Sequence, residues 1–152
     1  MVKRLFLLCM LLLMCATSVA DEGFVLRDTA GKLHRLSDYK GKWLLVNYWA
    51  TWCPPCLEEV PDLVNLHDQR HTRDLAVIGV AWDYKNPAEV AKFVDDMLMS
   101  YPIVLGDTQV AAQVGPKAVL PTTYFYNPQG QLVKVKRGLV TRAFIENLIS
   151  GK

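Results

Sequence analysis

The 152-residue chain predicts a single α/β domain built on a mixed sheet with helices on both faces. Three observations carry this. Leu44–Trp49 and Leu75–Ala81 are apolar almost without interruption, as strands covered on both sides must be, and a helical pattern lies between them. Thr122–Tyr126 and Gln131–Arg137 flank Asn127-Pro128-Gln129-Gly130, the composition of an antiparallel hairpin. A last amphipathic stretch follows, with Phe144, Ile145, Leu148 and Ile149 on one face behind the capping residue Thr141.

Before the first core strand, Phe24–Arg27 and Leu33–Leu36 enclose Asp28-Thr29-Ala30-Gly31-Lys32 and predict an N-terminal hairpin. Ser37-Asp38-Tyr39 reads as a single turn. The helix after Trp49 opens on Pro54 and Pro55, where missing N–H groups cost nothing, and continues through Leu57, Val60, Val64 and His67, with a kink expected at Pro61. Two buried strands joined by a helix form a right-handed parallel crossover. Pro87 opens the next helix, with Val90, Phe93, Val94, Met97 and Leu98 expected inward. Ile103–Leu105 and Thr108–Val114 supply a central strand and helix insert.

The ends and the composition exclude several classes. Residues 1–20 have the form of a secretory signal: Lys3-Arg4, the apolar run Leu5–Cys15, then small residues to Ala20, after which cleavage is expected. An 11-residue apolar core is short for a spanning anchor, which needs about 20. Lipid attachment at Cys15 is disfavoured by the bulky Met14 before it. Residues 21–152 then form the domain, with 15 basic against 15 acidic residues and no sign of a nucleic-acid or membrane-surface partner. No exposed heptad or long apolar edge points to a dimer, so a monomer is expected.

Removing the signal takes away Cys9 and Cys15 and leaves Cys53 and Cys56. No further structural disulfide is then possible, and a closed zinc site lacks its other two ligands. No cofactor is expected. A cysteine just before a helix aims its sulfur at unpaired N–H groups and the positive end of the helix dipole, which favours thiolate. With two residues between the sulfurs, the second can close on the first and expel a trapped partner. Cys53, outside the helix, is the expected attacking thiol, and Cys56, one turn inside, the shielded resolving one. Trp52 reads as a packing wall or substrate contact beside them, with an ordinary core tryptophan as the competing reading. Pro54 and Pro55 remove two donors from the turn, and nothing between the sulfurs carries charge. His67 and His71 could form a metal edge, but a polar helix end makes a solvated face the better reading. His34 carries no signal, and Lys134–Arg137 reads as one side of a strand.

The stretch Val46-Asn47-Tyr48-Trp49-Ala50-Thr51-Trp52-Cys53, Phe24-Val25-Leu26 with Gly31 and Leu33, Glu59 and Pro61 after the second cysteine, the insert from Ser100 to Pro116 and Leu120-Pro121-Thr122-Thr123 resemble the thioredoxin superfamily. The likeness is to its exported TlpA-like branch, which includes ResA-type and cytochrome c maturation thiol reductases, and it covers residues 24 to 150. It implies a thioredoxin fold and a thiol-disulfide oxidoreductase. It implies a cis bond before Pro121, which would lie against the cysteines, and a Leu120 backbone offered to a substrate strand. It also implies a Glu59 carboxylate near the buried sulfur. Thioredoxin has a buried aspartate where this chain has Asn47, so the proton acceptor is expected to have moved to Glu59; a first-turn glutamate complementing the helix dipole is the competing reading. A reductant is expected, supplied with electrons by a membrane-bound reductase, with apocytochrome c, a copper-site protein or other exported disulfide proteins as substrates. The alternatives are a Cu(I)-handling module using the same thiols and a thioredoxin-fold peroxidase, whose threonine-containing signature is absent around Cys53.

Overall fold

The computed structural model describes residues 23–117 and 119–151, and the expected leader with Cys9 and Cys15 lies outside the described residues. Strands β1 (Val25–Arg27) and β2 (Leu33–Arg35) pair antiparallel as a small sheet of their own. The main sheet is made of β3 (Trp43–Trp49), β4 (Leu75–Ala81), β5 (Ile103–Leu105), β6 (Thr122–Tyr126) and β7 (Leu132–Arg137), in the spatial order β5-β4-β3-β6-β7. β4 runs parallel to β3 and β5, while β6 is antiparallel to β3 and β7. Four helices complete the described chain: α1 (Pro54–Arg70), α2 (Pro87–Asp96), α3 (Thr108–Val114) and α4 (Arg142–Ile149). This is the thioredoxin layout expected from the sequence.

The alternation of strand side chains divides the interior into two layers. Leu45, Trp49, Val77, Ala81, Ile103 and Phe125 face α1, α2 and α4. Leu44, Val46, Tyr48, Ile78, Val80 and Tyr124 face α3 and the N-terminal hairpin through Phe24, Leu26, Val110 and Val114. β3 is buried along its whole length after Trp43, which is why it reads as unbroken apolar sequence. The hairpin is not an isolated flap. Asp28 bridges to Val104, and the Thr29 N–H donates to the Ile103 carbonyl at 2.7 Å.

The structure corrects two readings and gives a role to His34, for which the sequence carries no signal. His34 is buried and structural: Nε2 donates to Asp28 Oδ2 at 2.8 Å and Nδ1 shares a 2.6 Å hydrogen bond with the Tyr39 hydroxyl, tying the hairpin to the 3-10 turn Leu36–Tyr39. His67 does not lie on a solvated face. It continues the inward stripe of Val60 and Leu63 where α1 packs on β4, and its Nδ1 accepts the Val77 N–H at 3.1 Å. The exposed His71 stacks on it with ring centroids 4.7 Å apart. Leu98 was expected inward but is 79% exposed, because α2 ends at Asp96 and Leu98 takes a left-handed φ of 52°, the helix-terminating conformation. Pro61 lies inside α1, which continues through it as a single helix to Arg70.

Phe125 is fully buried at the centre of the layer under α4, edge-on to Phe144 with centroids 5.9 Å apart. Phe125→Ala is therefore expected to lower the unfolding free energy by about 3–5 kcal/mol. The check is urea denaturation: a midpoint within error of the parent would contradict the assignment of this layer as the main core.

Candidate active site

β3 delivers the chain into a short turn in which the Cys53 N–H donates to the Ala50 carbonyl at 3.3 Å, and Cys53 becomes the N-cap of α1. Pro54 and Pro55 fill the first helical positions, so the first N–H after the cap belongs to Cys56, and it donates to the Cys53 carbonyl at 3.0 Å. Cys53 and Cys56 are joined by a disulfide with their Cα atoms 5.3 Å apart.

Both cysteines belong to the core cluster that includes Trp49 and Val60, with Leu120 packed against it. Their exposures are 3% for Cys53 and 1% for Cys56. The sequence led to the expectation of an open first sulfur and a shielded second one. In the bridged form the two are nearly equally covered. Trp52 is no core residue. It is 57% exposed, and its indole N–H donates to the Asp83 carbonyl at 3.0 Å. Pro54 is exposed and Pro55 half-buried beside it.

The Leu120–Pro121 bond is cis, as the resemblance implied. Thr122 pairs with Tyr48 across β6 and β3, so the buried Pro121 stands at the same end of the sheet from which the cysteine turn departs. Leu120 is half-buried between the two layers, and the preceding Val119 is 50% exposed.

Glu58 faces solvent, whereas Glu59 is 1% exposed. Its Oε1 accepts from Asn47 Nδ2 at 2.7 Å and its Oε2 from the Val140 N–H at 2.9 Å, and the same Asn47 amide also donates to Thr123 Oγ1 at 3.0 Å. Burial pushes the Glu59 carboxyl up to about 7, against the two hydrogen bonds and the more distant Lys136, which favour the charged form. A carboxyl poised at neutrality inside an apolar layer, one helical turn beyond Cys56, can give or take a proton there. The sequence pointed to Glu59 but not to Asn47 and Val140 as the partners that hold it.

Four further residues of the site went unread. Thr51 Oγ1 donates to Glu89 Oε1 at 2.6 Å, the Lys85 N–H donates to Glu89 Oε2 at 2.9 Å, and Asp83 receives Trp52. The one signal in the sequence was the Asn86 to Glu89 spacing, which resembles a capping box at the start of α2.

Glu59 and His67 have opposite effects on stability. Glu59 is raised from 4.5 to about 7, so between those values the folded chain holds more protons than the unfolded one and stability falls as pH rises. His67 is lowered from 6.5 to about 4 by burial and then by His71, so between those values stability rises with pH. The unfolding free energy of the parent minus that of Glu59→Gln is expected to fall by roughly 3 kcal/mol from pH 4.5 to 7 and stay level above. The Gln variant alone should gain stability through the His67 window. Parallel pH profiles for the two proteins, measured by denaturant titration, would contradict the raised carboxyl.

The AhpC/TSA family model matches residues 19–135. The chain is 34% identical over 127 residues to the thiol-disulfide oxidoreductase ResA of Bacillus subtilis, covering 84% of this chain and 70% of that protein. It is 36% identical over 127 residues to ResA of Geobacillus kaustophilus, covering 81% and 70%. Among solved structures, the exposed lipoprotein thioredoxin of Streptococcus pneumoniae superposes with a TM-score of 0.71 at 26% identity over 85% of this chain and 98% of its own. With its bridged Cys53–Cys56 pair on a thioredoxin fold, the chain belongs to the AhpC/TSA family and, within it, to the ResA-like thiol-disulfide oxidoreductases.

Proposed function

We propose that this oxidoreductase works outside the cytoplasm as a reductant of disulfides in other exported proteins, with Cys53 as the attacking sulfur, Cys56 as the resolving sulfur and Glu59 as the proton acceptor of Cys56. The observation that carries the reading is the arrangement along α1: Cys53 at the N-cap, Cys56 inside the first turn, and the buried, near-neutral Glu59 one turn further.

In the reducing direction the Cys53 thiolate attacks one sulfur of a partner's disulfide. The partner's S–S bond breaks, a mixed disulfide forms, and the departing thiolate takes up a proton. Cys56 gives its proton to Glu59 and attacks Cys53 Sγ, which expels the partner's second sulfur as a thiolate that takes up a proton in its turn and leaves the Cys53–Cys56 bridge. The partner has gained two electrons and two protons. A membrane-bound reductase returns them by the same exchange in reverse, which an oxidising periplasm makes necessary. Trp52, Pro54, Pro55 and the Leu120–Pro121 segment form the surface a partner's strand meets. Apocytochrome c or a copper-site protein awaiting its metal are substrates of the fitting kind.

Export is supported by the leader pattern of residues 1–20, read as a signal peptide removed after Ala20 to leave residues 21–152 as the working domain, and by a relative named an exposed lipoprotein. No helix among the described residues is long and apolar enough to cross a membrane. The domain acts as a monomer in this reading and needs no cofactor beyond its thiols.

The turn between the sulfurs favours a reducing poise. Strong oxidants of this chemistry stabilise the reduced form, and here the two prolines withhold N–H donors from the thiolate while no cation lies between the sulfurs. A midpoint near thioredoxin's roughly −270 mV is expected in a glutathione or dithiothreitol titration, and a value above about −180 mV would overturn the reductant assignment. In the producing cell, Cys56→Ser is expected to accumulate mixed disulfides that Cys53→Ser does not form. Tight Cu(I) binding without any disulfide exchange would replace the reading with that of a copper carrier.

A further inference from the structure

We propose that Glu89 is a positioning residue for the redox pair: its carboxylate fastens the turn carrying Trp52 and Cys53 to the loop after β4, and so governs how an incoming sulfur reaches the bridge. The inference rests on Cys53 being the attacking sulfur.

Glu89 is the third residue of α2, and its own N–H donates to the cap side chain of Asn86 at 3.0 Å. A glutamate at this position ordinarily turns back to the amide of its cap residue and completes the helix end. Here both oxygens are committed elsewhere, one to the Thr51 hydroxyl and one to the Lys85 amide. The Thr51 hydrogen bond first, and the Lys85 amide after it, hold the carboxyl below the usual range, so it is ionised wherever thiol exchange runs.

The fastening is not a single thread. The Trp82 N–H donates to the Trp49 carbonyl at 2.8 Å, Thr51 reaches Glu89, and the Trp52 indole reaches Asp83. Three of the four residues leading into Cys53 are therefore tied to the segment 82–89. Asp83 presents its carbonyl from a left-handed φ of 53°, a conformation a non-glycine residue adopts at some cost. The base of the clamp is rigid, because Phe93, one turn beyond Glu89, stacks on the buried Trp49 with centroids 5.0 Å apart. A charge-assisted bond from a fixed helix to the residue two before Cys53 controls the turn more firmly than a neutral one.

The test uses two rates on the mature protein. One is reduction of the bridged form by dithiothreitol, which is limited by access to the sulfurs. The other is reduction of insulin by the dithiol form, which needs the turn in its docked geometry. Thr51→Val, which keeps shape and loses the donor, and Glu89→Ala are each expected to speed the first and slow the second by about fivefold, the scale of losing part of one hydrogen bond to a charged group. Thr51→Ser, which restores the donor, should recover most of the change, and the double variant should add nothing to either single one. Rates within about twofold of the parent in both assays, or both rates falling together with thermal stability, would overturn the proposal, since the first means no clamp and the second a purely structural contact. Failure of the underlying reading shows separately, as mixed-disulfide capture by Cys53→Ser in place of Cys56→Ser.

Discussion

One buried carboxyl joins three distant parts of this chain. Glu59 on α1 takes the Asn47 amide of β3 on one oxygen and the Val140 N–H, in the connection from β7 to α4, on the other. The central strand, the helix that starts at the cysteines and the C-terminal unit are thereby locked around a group that would be costly to bury unpaired. The same two bonds oppose the effect of burial, and their balance with desolvation leaves the acid near neutrality rather than far above it. Structure and chemistry depend here on one arrangement, because loosening either partner changes both the packing of α1 and the proton affinity one turn from Cys56.

Most of the scaffold was legible because its signals are strong and local. β3 and β4 are covered on both faces and read as continuous apolar runs. The hairpin between β6 and β7 is announced by Asn127 and Gly130, the first accepting N–H groups of Gln129 and Gln131 and the second sitting at φ 79°. The redox pair was legible for the same reason, since strand, tryptophan, prolines and cysteines are adjacent in sequence.

What sequence did not reveal depends on contacts between segments far apart. His67 looked solvated because its neighbours Asp68, Gln69 and Arg70 are polar, yet the length of β4 alongside α1 decides that the inward stripe runs one turn further. Leu98 looked inward because helical spacing was extended past the residue at which α2 ends. The Thr51–Glu89 contact spans 38 residues, and no periodicity in either segment could announce it. Cys53 was expected to be open because its place outside the helix is legible, whereas the core cluster it joins is assembled from Trp49, Val60 and Leu120 of separate segments.

The paired prolines at the start of α1 bear on kinetics as well as on donors. Pro54 and Pro55 fix φ at both residues between the sulfurs, so the open dithiol has few conformations to surrender when the ring closes. Cys56 is thus presented to Cys53 at a high effective concentration, and any partner tethered through Cys53 faces a competitor already in place. The tether should be brief, because ring closure competes with it from the moment it forms.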